Sequence, residues 1–190
     1  MRGSGKAAID LLPVGKTAMN AGPMRVIAID PSLRSSGFAV LEKVNGKVRA
    51  IEYGLIRNRP ELAASSCLVA IRDRLAELVH KHEPDSAAIE STIFVQSYKT
   101  AIILGAVRGA TIVALAERGV PIFEYAPRRV KQAVVGKGAA AKQQVGFMIR
   151  AMLGLTENPP PDAADALAIG LTHFQAHEAA GRGVATLTRV

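Results

Sequence analysis

Two apolar runs near the start of the chain predict adjacent buried strands. Residues 26–29 (Val-Ile-Ala-Ile) end in Asp30, and a second apolar run begins at Gly37. A run without polar interruption is typical of a strand buried on both faces, while Pro31 and Gly37 favour a tight reversal between the runs. The pattern therefore predicts a central hairpin with the Asp30 carboxylate at its open end. Taken alone, Asp30 could equally serve only to cap the turn.

Further along the chain, strand and helix patterns alternate. The Asn45-Gly46 dipeptide is a strong hairpin signal, so the first three strands should be antiparallel. The later strand–helix–strand successions require parallel pairing with right-handed crossovers. The elements predicted after the first hairpin are a strand at 48–57, a helix within 61–82, a strand at 86–90, a helix at 98–118 and a strand at 120–125. We predict an α/β fold whose five-stranded mixed sheet has three antiparallel strands, then two parallel strands, with helices on both faces.

Length and composition favour one domain with a segment appended at each end. The 190 residues, 49% of them hydrophobic, suffice for a single core. We predict an N-terminal extension over residues 1–23, a domain over 24–178 and a C-terminal tail over 179–190. The extension lacks the apolar core of a secretory signal. We expect it to be disordered or in part foreign to the natural chain, with Met24 as an alternative start.

Charge and cysteine content narrow the function classes. Lysine and arginine number 24 against 16 acidic residues, and the resulting net charge of +8 favours a polyanionic partner. The single Cys67 excludes an internal disulfide, and the 4 histidines show no zinc-type spacing. No uncharged apolar stretch reaches about 18 residues, the length that favours a membrane span. We therefore expect a soluble protein of the reducing cytoplasm.

A basic stretch of one sign follows the fifth strand. No acidic residue lies between Glu124 and Glu157. Solvated helix faces usually mix both signs, so this stretch, with Gly136-Lys137-Gly138 at its middle, indicates a phosphate-contacting surface, although a basic face without a ligand is the alternative. The loop lacks the Gly-x4-Gly-Lys-Ser/Thr pattern of nucleotide-hydrolysing P-loops. The basic residues of the stretch are Arg128, Arg129, Lys131, Lys137, Lys142 and Arg150.

Two further acids lie at a predicted helix start. Three prolines over residues 159–161 precede Asp162, and Asp165 lies three residues later on the same helix face. Asp162 alone could cap the helix, but two carboxylates that point together repel unless a cation lies between them. With Asp30 and Glu90 they make four hard oxygen ligands suited to Mg²⁺ or Mn²⁺. Four carboxylates can hold two ions about 3.5–4 Å apart, the arrangement used for in-line phosphodiester hydrolysis.

A series of short motifs extends from Met24 to about Gln175. They are Ile29-Asp30-Pro31 with Arg34 and Gly37, Ala88-Ile89-Glu90, Leu104-Gly105 with Arg108-Gly109, Phe123-Glu124-Tyr125-Ala126, Val130-Lys131-Gln132 with Val134-Val135-Gly136-Lys137-Gly138, and Asp162-Ala163-Ala164-Asp165-Ala166-Leu167-Ala168. In order and spacing, these motifs resemble the RuvC family of Holliday junction resolvases, within the ribonuclease H-like superfamily.

The resemblance implies a ribonuclease H-like fold and a Mg²⁺-dependent crossover junction endodeoxyribonuclease that acts in DNA recombination and repair by paired, symmetric nicks. It implies that Asp30, Glu90, Asp162 and Asp165 are the catalytic acids, which hold two Mg²⁺ ions per site, with Mn²⁺ as a substitute. It also implies a homodimer that works beside the RuvA and RuvB branch-migration proteins.

The resemblance further implies that Lys131 and Lys142 assist near the scissile phosphate or hold DNA. We expect Arg128, Arg129 and Lys137 to join them in DNA binding.

Two departures from the family pattern concern turns and one concerns an aromatic residue. Ser32 and Ser36 stand where the family usually has Gly and Thr, and both changes should be tolerable in a turn. Family members commonly carry an aromatic residue three positions after the second acid, where this chain has Ile93 followed by Phe94. Phe94 either enters the junction with a shifted ring or simply packs in the core.

Small residues form a stripe on the helix predicted at 98–118. Gly105, Ala106, Gly109 and Ala110 permit close backbone approach to a neighbour. That neighbour is either the protein's own sheet or, in a dimer, a second copy of the helix.

Other function classes stay open at this point. They are a nuclease of flaps or other branched DNA, a ribonuclease of RNA–DNA hybrids, and a DNA-binding protein with little or no catalytic activity. An actin-like or sugar-kinase ATPase also begins with a strand ending in Asp, but it needs a second such domain, for which 190 residues are too few.

Overall fold

The computed structural model describes residues 22–91, 97–138, 141–184 and 186–190. Within these ranges the predicted strands and helices occur in the predicted order, and two helices that the sequence pattern did not predict, over residues 127–135 and 142–153, lie between the fifth strand and the last helix. They are β1 (Met24–Asp30), β2 (Ser35–Val44), β3 (Lys47–Arg57), α1 (Ala64–His82), β4 (Ser86–Glu90), α2 (Tyr98–Ala116), β5 (Ile122–Tyr125), α3 (Pro127–Val135), α4 (Lys142–Leu153) and α5 (Pro161–Gly181). The predicted N-terminal extension lies outside the described residues except for Gly22 and Pro23.

The described strands form one sheet in the order β3-β2-β1-β4-β5. β2 is antiparallel to both β1 and β3, whereas β4 is parallel to both β1 and β5. The predicted sheet of three antiparallel strands followed by two parallel ones is thus confirmed. Parallel pairing brings the carboxyl ends of β1, β4 and β5 to one edge of the sheet, and Asp30 and Glu90 lie at that edge.

The alternation of side chains along β1 divides the core into two layers. Ile27 and Ile29 pack with buried residues of α1 and α2, whereas Val26 and Ala28 pack with those of α3, α4 and α5. Each face of the sheet is therefore covered by helices, as the continuous apolar run of β1 predicts.

α5 crosses the sheet at the centre of its layer and carries a buried polar group. The imidazole of His173 lies with Nε2 2.9 Å from Ser86 Oγ and with Nδ1 2.7 Å from the Tyr125 hydroxyl. Burial lowers the pKa of His173 to about 4 and raises the pKa of Tyr125 to about 12. Both groups are therefore neutral at pH 7, and they join α5 to β4 and β5 by hydrogen bonds.

α2 packs on α1 with one side and leaves the other exposed. Val107 and Leu115 are buried in the layer formed with α1. A Cβ placed on Gly105 or Gly109 would meet nothing within 4 Å in the described part of the chain. Within the described residues, the small-residue stripe therefore makes no close contact with the protein's own sheet at these two glycines. By length and composition alone α2 could also span a membrane, although Arg108 on it is ion-paired with Glu124 of β5 at 2.6 Å.

The C-terminal residues pair with β5, the outermost strand on one side of the sheet. Arg189 pairs with Phe123 of β5 in an antiparallel bridge, and the Val190 N–H donates to the Ile122 carbonyl at 3.0 Å. These contacts supply the outer side of β5 with hydrogen-bond partners, which limits further strand pairing at that edge.

Candidate active site

The β1–β2 hairpin places one carboxylate at the edge of the sheet. Asp30 ends β1 and pairs with Gly37 of β2. The turn between them is closed by Ser36, whose hydroxyl donates to the Ser32 carbonyl at 2.5 Å and accepts from the Ser32 N–H at 3.0 Å. The two serines that depart from the family pattern thus bind each other and hold the turn.

The start of α5 supplies two more carboxylates. Pro161 occupies the first turn, where its fixed φ suits a helix and its missing N–H costs nothing. The residue before it, Pro160, is the N-cap and makes no side-chain cap bond, so Asp162 lies in the first turn and is not the cap. Asp165 follows on the same face of the helix.

Gly37 allows the hairpin to touch the start of α5. A Cβ at this position would lie 1.9 Å from the Asp162 carbonyl oxygen and 2.5 Å from the carbonyl carbon. Only a residue without a side chain permits that approach. The contact brings the end of β1 and the first turn of α5 together.

Three of the predicted acids converge as a result. One carboxylate oxygen from each of Asp30, Asp162 and Asp165 lies within 4.8 Å of the other two, and all three residues are half-buried. Carboxylates this close repel one another, and a divalent cation bound by their hard oxygen atoms offsets the repulsion. The donor set therefore fits Mg²⁺ or Mn²⁺.

Glu90 lies beside this group, on the adjoining strand. Ile89 pairs with Ile29 in parallel register, so Glu90 and Asp30 end neighbouring strands at the same edge. Because side chains alternate, both acids point to the face that α5 covers. Within the described residues, the group of three that meets the 4.8 Å distance comprises Asp30, Asp162 and Asp165.

Ser35 is a site residue that the sequence reasoning missed. Its hydroxyl donates to Asp162 Oδ2 at 2.6 Å, which fixes one oxygen of that carboxylate. The only signal in the sequence was a hydroxyl residue in the turn after Asp30. Its partner is 127 residues away along the chain.

The first of the predicted basic residues lie on α3, just after the end of β5. α3 begins two residues after β5 ends, and it carries the exposed Arg128 and Arg129 and the half-buried Lys131. The Arg129 guanidinium lies 5.3 Å from the centre of the Tyr125 ring, which places a cation over the end of β5.

The other predicted DNA-binding residues are spread over later segments. Lys137 is exposed after α3 ends, and Lys142 is the first residue of α4. Phe94 lies outside the described residues.

The fold and site are those of a ribonuclease H-like protein. Helices cover both faces of the mixed sheet, and carboxylates from β1 and α5 converge at one end of it. The family model described as "Crossover junction endodeoxyribonuclease RuvC" matches residues 26–173. The chain belongs to the RuvC family.

Curated and solved relatives agree with this assignment. A protein of the same description from Akkermansia muciniphila is 51% identical over 151 residues, which cover 80% of this chain and 90% of that one. The structure of Thermus thermophilus RuvC in complex with a Holliday junction substrate has 37% identity and a TM-score of 0.77, covering 87% of this chain and 99% of that one. The yeast mitochondrial resolvase Ydc2 has 13% identity and a TM-score of 0.57, covering 78% and 77%, and shares the fold.

Proposed function

We propose that this protein is a Holliday junction resolvase, an endonuclease that hydrolyses phosphodiester bonds in four-way junctions. The observation that carries the proposal is the convergence of Asp30, Asp162 and Asp165 within 4.8 Å in a chain of the RuvC family. Residues 24–178 form the proposed nuclease domain.

The proposed metal centre uses Mg²⁺, with Mn²⁺ as a substitute and two ions per site. Asp30, Asp162 and Asp165 hold the ions, and Glu90 at the end of the adjoining strand is the fourth ligand. When bound, such ions activate the attacking water and stabilise the charge that develops on the leaving 3′ oxygen. Ser35 orients Asp162 by its hydrogen bond of 2.6 Å. Lys131 and Lys142 offset charge on the scissile phosphate.

A comparison of substrates tests the function. The purified protein is given a four-way junction, a flap, a linear duplex and an RNA–DNA hybrid at equal concentrations with Mg²⁺. We expect cleavage of the junction by paired nicks and little cleavage of the others. Faster cleavage of the flap or of the hybrid would assign one of the alternative nuclease functions. Binding of the junction without cleavage would indicate a catalytically weak junction-binding protein.

Loss of the Ser35 hydroxyl should weaken metal binding. We expect Ser35→Ala to reduce the Mn²⁺ affinity about ten-fold, because Asp162 Oδ2 then lacks the donor 2.6 Å away and the carboxylate is less well oriented. Isothermal titration with Mn²⁺ measures the affinity without cleavage. Ser35→Thr keeps the hydroxyl and should keep the Mn²⁺ affinity of the unmodified protein. Ser66→Ala, at an exposed position of α1, is the control. Equal affinities of Ser35→Ala and the unmodified protein would contradict the orienting role.

The basic surface for DNA is proposed to comprise Arg128, Arg129, Lys131, Lys137 and Lys142. Loss of one phosphate contact should lower the slope of log K against log salt by about one. We therefore expect Lys131→Ala and Lys142→Ala to bind the junction more weakly and with this reduced slope. Fluorescence anisotropy over a series of salt concentrations gives the slope.

A matched control for the lysine variants is Lys81→Ala on α1. Lys81 is 62% exposed and paired with Glu52, so its removal changes the net charge equally at a different surface. Slopes for Lys131→Ala and Lys142→Ala that equal the slope for Lys81→Ala would make both lysines ordinary surface charges.

The homodimer is proposed to form through the exposed face of α2. Gly105 and Ala106 are exposed there, and Ile102 and Tyr98 expose 56% and 83% of their surface. An apolar face with open glycines suits the close approach of a second copy. The approximate two-fold symmetry of a four-way junction matches an isologous dimer, which delivers both nicks together.

Added bulk at Gly105 should separate the copies. Because the space around its Cβ position is open in the described chain, Gly105→Leu should fold normally and yet block the interface. We expect light scattering to give a monomer mass and nicks on a supercoiled cruciform to appear singly. Ser66→Leu adds the same side chain to an exposed position of α1 and should remain dimeric. A dimer mass for Gly105→Leu would place the interface elsewhere.

Membership of the RuvC family also supports two further proposals. The protein works beside the RuvA and RuvB branch-migration proteins, and it acts in the cytoplasm, where its junction substrate forms. The single buried Cys67 agrees with a reducing compartment.

A further inference from the structure

An apolar groove lies between the end of α3 and the first turns of α4, outside the carboxylate site. It has a volume of about 360 Å³ and is lined by Val135, Gln143, Gln144, Phe147 and Met148. Phe147 is 54% exposed, whereas Met148 beside it is half-buried. Aromatic side chains supply large contact areas at interfaces, so an exposed ring beside an open groove is available to a ligand.

The charges around the groove favour a polyanionic ligand. Both helices that form it belong to the stretch between Glu124 and Glu157, which contains no acidic residue. The Arg150 guanidinium lies 5.4 Å from the centre of the Phe147 ring and supplies a cation next to the groove. An acidic protein surface would also complement this positive charge, but it would have no particular use for the flat face of the Phe147 ring.

The groove itself has the chemistry of a base-binding pocket. Nucleobases stack on aromatic rings, and their edges accept and donate hydrogen bonds. Phe147 offers the ring, Gln143 and Gln144 offer amide groups, and the half-buried Val135 and Met148 complete the apolar part of the lining. The Gln144 Oε1 accepts from the Ala141 N–H at 3.1 Å, which holds this amide in place with its NH₂ group as a donor.

We propose that this groove binds one unstacked nucleobase of the DNA substrate, with Phe147 as the stacking platform. The inference rests on the proposed function, because junction DNA is the source of that base. A base held here would anchor a strand to α4, beyond the phosphate contacts made by the basic residues. The groove therefore adds affinity for opened or single-stranded segments at the centre of a junction.

Binding of two single strands to the full-length protein tests the proposal. One probe is a labelled thymidine oligonucleotide, and the other is an abasic strand of the same length, which keeps the phosphates and lacks the bases. We expect the protein to prefer the thymidine strand about ten-fold at one salt concentration, in line with the contribution of one stacked base. Equal affinities for the two probes would overturn the proposal, even if the protein cleaves junctions normally.

Variants of Phe147 separate stacking from apolar contact. Phe147→Leu should lose the preference for bases and keep its affinity for the abasic strand, whereas Phe147→Trp should retain the preference. Val69→Ala, at a side chain 50% exposed on α1, is the control for loss of surface apolar area. Thermal unfolding confirms that each variant is folded. A Phe147→Leu variant that still prefers bases would overturn the assignment. If it instead lowered the mass in light scattering, the groove would be an interface between copies.

Discussion

Replacement of Asp165 by Asn is expected to abolish junction cleavage and leave junction binding intact. The carboxylate oxygen of Asp165 lies within 4.8 Å of those of Asp30 and Asp162, so an amide at this position removes one charged ligand from the proposed metal centre. Since metal ions supply several kcal/mol of transition-state stabilisation, the cleavage rate should fall by roughly 10³-fold or more. Asp30→Asn should behave in the same way. Single-turnover cleavage of a labelled junction gives the rate, and anisotropy gives the affinity.

The control for these variants is Asp73→Asn on α1. Asp73 is exposed and paired with Arg72, so the substitution changes the net charge equally without touching the carboxylate group. It should cleave junctions at the normal rate. If Asp165→Asn also cleaved normally, Asp165 would have no part in the metal centre. If it lost junction binding as well as cleavage, the carboxylates would act in assembling the DNA surface.

The sequence was sufficient to predict the strands of the sheet because each strand's apolar pattern reflects how many of its faces are buried. β1 has a continuous apolar run and is covered on both faces, whereas β3 alternates exposed and half-buried positions. Asn45 and Gly46 both adopt positive φ in the β2–β3 turn, as the predicted hairpin requires. Local signals predict the antiparallel pairing of the first three strands, and the strand–helix–strand successions predict parallel pairing for the last two, whereas the order β3-β2-β1-β4-β5 is seen only in the structure.

The convergence of the acids could be predicted only in part. That Asp30 and Glu90 share an edge follows from two strands that end in acids and pair in parallel. Their distance from Asp162 and Asp165 depends on how closely α5 approaches the β1–β2 hairpin, which is a property of packing between segments more than 120 residues apart. The bond from Ser35 to Asp162 has the same origin.

The packing of the small-residue stripe on α2 and the burial of His173 depend on tertiary contacts that no local sequence pattern encodes. The spacing of Gly105 and Gly109 indicated close helix packing, but it did not identify the neighbour, and among the described residues nothing occupies the space around either Cβ position. His173 gave no signal at all. Its burial between Ser86 and Tyr125 becomes evident only when α5 is seen crossing the sheet.

Gly37 connects these observations, because its substitution should disturb both the fold and the carboxylate site. The added Cβ of Gly37→Ala would lie 1.9 Å from the Asp162 carbonyl oxygen and 3.2 Å from the Ala163 nitrogen. These are backbone atoms, so the start of α5 must move away from the hairpin. We expect the free energy of unfolding to fall by about 3 kcal/mol, near the upper end for overpacking. Because Asp162 moves with the helix, the Mn²⁺ affinity should fall by at least about ten-fold.

A substitution at a second crowded glycine, Gly170, separates displacement of the metal site from general loss of stability. A Cβ on Gly170 of α5 would lie 2.3 Å from Leu41 Cδ1 and 3.3 Å from Ala28 Cβ, which are side-chain atoms and not backbone atoms. Gly170→Ala should therefore lose less stability in urea unfolding than Gly37→Ala, and it should keep the Mn²⁺ affinity of the unmodified protein. Loss of metal affinity in both variants in proportion to their loss of stability would point to general loosening of the fold. Unchanged Mn²⁺ affinity in Gly37→Ala would show that the site does not depend on the contact between the hairpin and α5.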